Sequence, residues 1–278
     1  MPQLRGQYGV SRQFHLQQGT HNSKSWKLRM EDYMPHRKEF EQTLVLIKPD
    51  ALKNSLTGYV LSQLSEFHTG LRFAGSKIVY VGQMLAEEHY AEHRGKVFFP
   101  SLLEYIMGQL HYPDEPWKRR VIALVYQGVD AVKKIRNICG PTNPHIAREK
   151  NPGCIRALGT LVPLKDAAGN IIGERMDNLI HASATNEDAE REIKLWFAPT
   201  DIPPFMRAYP TEINQAHYYF KDGSLLLRHE PESMCLLAPG DIAWKTDIDT
   251  LRSLEKGSET VGSLGSVAAK YLMNTEKE

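Results

Sequence analysis

Four short apolar strands alternate with amphipathic helices in the order β-α-β-(αα)-β-α-β. That order predicts an α/β (α+β) chain, a ferredoxin-like split βαβ sandwich with an antiparallel four-stranded sheet. Two departures from the minimal pattern, a hairpin-like stretch before the last strand and long polar ends, predict a hairpin insertion and terminal extensions. The division expected is an N-terminal extension over 1–39, a central domain over 40–200 and a C-terminal extension over 201–278.

The elements follow from local pattern. QTLVLIK, closed by Pro49, reads as a buried strand. TGYVLSQLSEFHTG places Val60, Leu61, Leu64 and Phe67 on one helical face and stops at Gly70. Arg72 to Val81 reads as a second strand. EEHYAEH and SLLEYIMG read as short helices, and RVIALVYQG as a third strand. Asp130 is placed to N-cap AVKKIRNIC, which ends at Gly140-Pro141. LVPLKDAAGNIIGE reads as two strands around an Ala-Gly-Asn turn, spanning about Val162 to Glu174. A fourth core strand leads into LIHAS. Thr185 and Asp188 then form a cap before EREIKLWF, whose apolar face carries Ala189, Ile193, Trp196 and Phe197. Beyond Pro203-Pro204, AHYYFKDGSLLLRHE reads as a strand pair around Lys-Asp-Gly, LEKGSETVGSLGSV as small and polar, and NTEKE as frayed.

Lys and Arg number 34 against 33 for Asp and Glu, so no global basic field points to nucleic acid or an anionic membrane. Three cysteines without CxxC spacing, no signal-like start and no long apolar run point to a soluble, cytoplasmic protein.

TLVLIKPDAL, HYAEHRGKVFFPSL, IRNICGPTNP, PGCIR, NLIHAS and AEREIKLWF occur in this order over about 160 residues. The central region thereby resembles the nucleoside diphosphate kinases. Taken alone, a histidine beside apolar residues is a structural feature. The resemblance instead implies that His181 is the histidine that carries the phosphoryl group, through a ping-pong exchange between a nucleoside triphosphate and a nucleoside diphosphate. Imidazole, with a pKa of about 6.5, is largely neutral and nucleophilic near pH 7. The resemblance further implies that Glu192 orients the ring, with Ser183 as the hydroxyl beside it. It gives Lys48, Arg136, Arg156, Thr142 and Tyr90 to the phosphates, Asn178 to the ribose and Phe98 to stacking on the base. No carboxylate cage appears, so Mg²⁺ is expected to arrive on the phosphates and no protein metal site is expected. A homo-oligomer is expected on the same ground.

Two other readings stand beside this one. A non-catalytic nucleotide-binding or scaffold protein on the same fold is opposed by the retention of His181 with Lys48, Arg136, Arg156 and Asn178. His89-Tyr90-Ala91-Glu92-His93 fits H-x-x-E-H, the signature of a zinc hydrolase. GLRFAGSK misses the Walker A pattern and lies between a helix and a strand, the wrong way round. The chain also departs from the family. The distance from Arg156 to His181 is longer than is usual in the family by about a dozen residues, and the extra length replaces a short segment that usually supplies base-side contacts. Ala182 stands where glycine is usual, which implies strain if that position needs positive φ.

Overall fold

The structure, a computed structural model, describes residues 41–274, so the expected 1–39 extension lies outside the described residues. Strand β1 (Glu41–Ile47) leads into α1 (Pro49–Lys53), α2 (Thr57–Gln63) and α3 (Glu66–Thr69). Strand β2 (Arg72–Val79), helix α4 (Gln83–His89), α5 (Phe99–Ile106) and β3 (Val121–Gly128) follow, then α6 (Ala131–Cys139) and α7 (Pro144–Lys150). Hairpin strands β4 (Thr160–Lys165) and β5 (Ile171–Asp177) precede β6 (Ile180–Ala182) and α8 (Asn186–Trp196). The four-stranded sheet runs β2-β3-β1-β6, every pair antiparallel, which is the split βαβ order.

Period-two alternation explains why β1 reads as continuous apolar sequence: both faces of the sheet are covered. Leu44 and Leu46 pack with Val121, Ala123, Ile193 and Trp196 on one side. Val45 and Ile47 pack with Leu124, Val60, Leu64 and Ile135 on the other. Register places Leu46 opposite His181, so the candidate nucleophile is carried on a strand edge-locked to the centre of the core.

Three local expectations are corrected. The helix expected across 57–70 is broken: Ser65 accepts from His68 N and starts a new turn. That break takes Phe67 off the buried face and leaves it 93% exposed. Asp130 occupies the N-cap position of α6 but is left-handed, φ 55°, with no side-chain cap bond. Ala182 is not in the left-handed region; the positive φ nearby belongs to Leu179, at 67°, so the glycine-to-alanine strain does not arise. Thr185 caps α8 as expected, accepting from Asp188 N at 3.1 Å.

After residue 200 the chain forms β7 (Thr211–Ile213), β8 (Tyr218–Lys221), β9 (Ser224–Leu226), β10 (Met234–Leu237) and β11 (Ile242–Trp244), then α9 (Lys245–Glu255) and α10 (Leu264–Tyr271). The expected Lys-Asp-Gly hairpin is β8–β9, with Asp222 and Gly223 both at positive φ. The two helices occupy sequence read as polar or unassigned. Trp244 donates to Phe197 O at 2.7 Å and is buried in the same cluster as β1. Asn274 accepts from Tyr80 N at 2.8 Å and donates to Ile78 O at 3.1 Å, capping the end of edge strand β2. Among the described residues no helix is long and apolar enough to cross a membrane.

Candidate active site

His181 lies in the middle of β6. Its Nε2 is 2.8 Å from Glu192 Oε2, and Ser183 Oγ donates to that same oxygen at 2.7 Å. The two partners arrive predictably. Ser183 follows at period two on the strand, and Glu192 faces inward from α8 on the stripe that buries Ala189, Ile193 and Trp196. Glu192 is 4% exposed. Burial alone would raise its pKa, but the charge and hydrogen bond of His181, then His89 and Ser183, lower it to about 2. A fixed carboxylate acceptor assigns the proton of neutral His181 to Nε2. Nδ1 is thereby left with its lone pair and makes no hydrogen bond among the described residues.

The ring opens into a cavity of about 340 Å³. Nine of the ten residues expected at the site line it: His181, Glu192, Lys48, Tyr90, Phe98, Arg136, Thr142, Arg156 and Asn178. Ser183 alone does not; it is fully buried behind the ring, also bonded by Leu44 N at 3.1 Å.

Each cation is held by neutral oxygen. Arg156 is 4% exposed, donating to Gly140 O at 2.8 Å and to Ile180 O at 3.3 and 3.2 Å. Arg136 donates to Ala182 O at 3.4 Å. Lys48, 5% exposed at the end of β1, donates to Asn178 Oδ1 at 2.8 Å. Burial pulls the Lys48 pKa down to about 8, with Arg156 adding to the effect and Asp50 opposing it. None of the three forms an ion pair with a carboxylate among the described residues. Desolvating cations without a counter-charge is costly, so the arrangement is completed by an anion from outside the chain. Asn178 also donates to Thr142 O at 2.9 Å, tying two more lining residues together. The Tyr90 hydroxyl is buried with no hydrogen-bond partner among the described residues, and burial, then Glu192, pushes its pKa far up, which keeps it a proton donor. Phe98 and Leu102 form an apolar wall.

The alternative that joins His89, Glu92 and His93 in a zinc site does not match the structure. Helix α4 ends at His89 and a 3-10 turn carries Glu92 and His93, so the two imidazoles do not stack one turn apart on one helix. His89 instead packs against His181, ring centroids 4.6 Å apart, and the zinc-hydrolase reading fails on that geometry. His89, His181 and Glu192 do bring donor atoms within 4.8 Å of one another. However, Trp196 Nε1 donates to His89 Nδ1 at 3.2 Å, so the proton of neutral His89 sits on Nε2 and no lone pair remains for a metal. Burial first, and His181 next, hold His89 well below the ordinary histidine pKa, which keeps it neutral. Glu174, Arg175 and Met176 also line the cavity, delivered by the β4–β5 hairpin; their sequence carries no signal for that role.

The sequence pattern of the nucleoside diphosphate kinase family matches residues 41–202. A nucleoside diphosphate kinase of Pyrococcus furiosus is 38% identical over 170 residues, covering 61% of this chain and 91% of the relative. One of Thermus thermophilus is 36% identical over 162 residues, 58% of this chain and 98% of the relative. One of Staphylococcus aureus is 39% identical over 165 residues, 59% of this chain and 93% of the relative.

Proposed function

Since the chain belongs to the nucleoside diphosphate kinase family and is an enzyme of that type, we propose that it passes the γ-phosphate of a nucleoside triphosphate to a nucleoside diphosphate through phosphorylated His181. The observation that carries this reading is His181 Nδ1, which makes no hydrogen bond among the described residues and opens to a cavity where Lys48, Arg136 and Arg156 form no ion pair with a carboxylate.

The steps follow from the bonding. Nδ1 attacks the γ-phosphorus; the N–P bond forms as the bond to the bridging oxygen breaks, and the electron pair leaves with the diphosphate. The proton on Nε2 stays in place, so the phosphorylated ring carries a positive charge. Glu192, 2.8 Å away, offsets that charge. A second diphosphate reverses the sequence with its terminal oxygen as nucleophile. Arg136 and Arg156 stabilise charge as it spreads over the transferring oxygens, Lys48 and Tyr90 contribute a point charge and a donor, and Thr142 adds a hydroxyl. Asn178 holds the ribose, and Phe98 offers a face on which any base stacks.

Mg²⁺ would arrive on the nucleotide, where it would neutralise phosphate charge. Apolar Phe73, Ile78 and Tyr80, exposed on and beside edge strand β2, support a homo-oligomer, to be checked by light scattering. Free Cys139, Cys154 and Cys235 support a reducing, cytoplasmic location.

The test is incubation with ATP followed by mass spectrometry. An acid-labile phosphate on His181 is expected in the native chain, with neither that phosphate nor exchange in His181→Ala. Exchange near the native rate in His181→Ala would overturn the mechanism.

A further inference from the structure

Hairpin β4–β5 delivers three consecutive side chains to the cavity lining, and two of them face opposite demands. Arg175 is fully engaged. Its Nε and Nη2 donate to Asp177 at 2.6 and 3.1 Å, and its Nη1 donates to Ser101 Oγ at 3.3 Å. Asp177 also meets His111 Nε2 at 3.0 Å. Burial works to raise Asp177, but the bonds from His111 and Arg175 outweigh it and hold the carboxyl below its usual range. Ser101 lies on α5 beside Leu102 and three positions after Phe98. This ionic cluster therefore pins the stem of the hairpin to the segment that forms the cavity's apolar wall.

Glu174 has no such partner. It forms no hydrogen bond or ion pair among the described residues, and the cation next to it is committed to Asp177. A free carboxylate opposes phosphates, since like charges repel and more strongly near protein than in water. It is tolerated in a nucleotide cavity where the ligand turns N–H donors toward it. The phosphate-binding cations come from the end of β1, from α6 and from the 155–158 turn. Glu174 comes instead from the element pinned to the Phe98–Leu102 wall, where a stacked base would lie.

We propose that Glu174 reads the base and favours guanine. Guanine presents N1–H and the exocyclic N2 amine side by side, two donors for two carboxylate oxygens. Adenine and cytosine put an unprotonated ring nitrogen at the corresponding place, which a carboxylate repels. The inference rests on the phosphotransfer reading of this cavity and adds which base that cavity prefers. Glu174 is exposed, so solvent weakens the contact, and the expected preference for guanine over adenine is about fivefold to tenfold.

The experiment isolates the phosphorylated enzyme after treatment with ATP, then mixes it with GDP, inosine diphosphate or ADP and follows loss of the phosphate. The second-order rate constants should fall in that order, because inosine keeps N1–H and lacks the N2 amine. In Glu174→Gln and Glu174→Ala the GDP-to-ADP ratio should drop below about twofold. A ratio unchanged in both variants, or no guanine preference in the native chain, overturns the proposal. Calorimetric titration of the native chain and both variants with GDP and ADP repeats the comparison without chemistry. No phosphoenzyme together with a Glu174-dependent guanine preference in binding would sink the phosphotransfer reading and keep the base assignment. Phosphoenzyme formation with a base ratio indifferent to Glu174 would do the reverse.

Discussion

Replacing Glu192 with Gln removes one charge and keeps the shape, at a residue that is 4% exposed and 2.8 Å from His181. Phosphorylation at Nδ1 leaves the ring positive, so the carboxylate matters more to the phosphorylated state than to the free one. Charges about 4 Å apart at an effective dielectric of about 20 attract by about 4 kcal/mol. Gln retains an oxygen acceptor for Nε2–H, so roughly half of that, about 2 kcal/mol, should be lost. This predicts phosphorylation slowed about thirtyfold. The assay is rapid-quench single turnover with radiolabelled ATP, counting label on protein. A rate within threefold of native would refute the assignment, because a spectator carboxylate could not hold the ring's tautomer and charge. The depressed Glu192 pKa makes a second, independent statement. With a folded value of about 2 against an ordinary 4.5, its stabilising contribution is complete above about pH 4.5 and is lost as pH falls from there toward 2. Glu192→Gln should flatten the dependence of unfolding free energy on pH over that window.

Arg136→Ala should lower turnover on the order of a hundredfold with little change in KM, since its charge meets phosphoryl oxygens most strongly in the transition state; a raised KM alone would contradict that role. Lys48 loses its proton as pH rises through about 8, so kcat/KM should decline above that pH, and Lys48→Arg should move the decline upward. The same shift has an opposite consequence for stability: the unfolded chain holds this proton up to about 10.5, so the Lys48 contribution to stability rises with pH between 8 and 10.5. Trp244→Ala should cost about 3–5 kcal/mol, because a fully buried indole and its bond to Phe197 O are lost together. Truncation after Thr200 should lower the melting temperature more than turnover per folded site; an unchanged melting temperature would contradict the docking through Trp244.

The strands of the sheet were legible because both faces are buried, which leaves runs such as LVLI with no other reading. The β4–β5 hairpin and the Thr185 cap were legible from turn and cap chemistry. What escaped the sequence escaped for identifiable reasons. Helix α10 is rich in small residues, which read as loop; those residues let it approach α4 so closely that a Cβ on Gly265 would meet Glu88 Oε1 at 2.8 Å. Lys270, within the same helix, looks like a surface residue but is buried against Asp247 and Tyr271. At the site, the resemblance supplied residues that act through side chains at fixed motif positions. It had nothing to supply for Glu174 and Arg175, whose place depends on how an inserted hairpin folds back.

That insertion raises the question of how a dozen extra residues fit between Arg156 and His181 without disturbing either. The register answers it. Thr160 pairs with Asp177, so the hairpin leaves and re-enters at adjacent positions, and its length does not enter the spacing between its ends. The junction is also tight: a Cβ on Gly159 would lie 2.5 Å from Asp177 O and 3.0 Å from Asn178 Cα, so glycine is what lets the two ends close. On one side of this closure, Arg156 is tied to Gly140 O and Ile180 O; on the other, Asn178 is tied to Lys48 and Thr142. The phosphate end is thus held by main-chain oxygens of the sheet and its connections. The inserted strands project beyond the clamp and are tied to α5 through the bond from Arg175 to Ser101 Oγ and to His111 through Asp177.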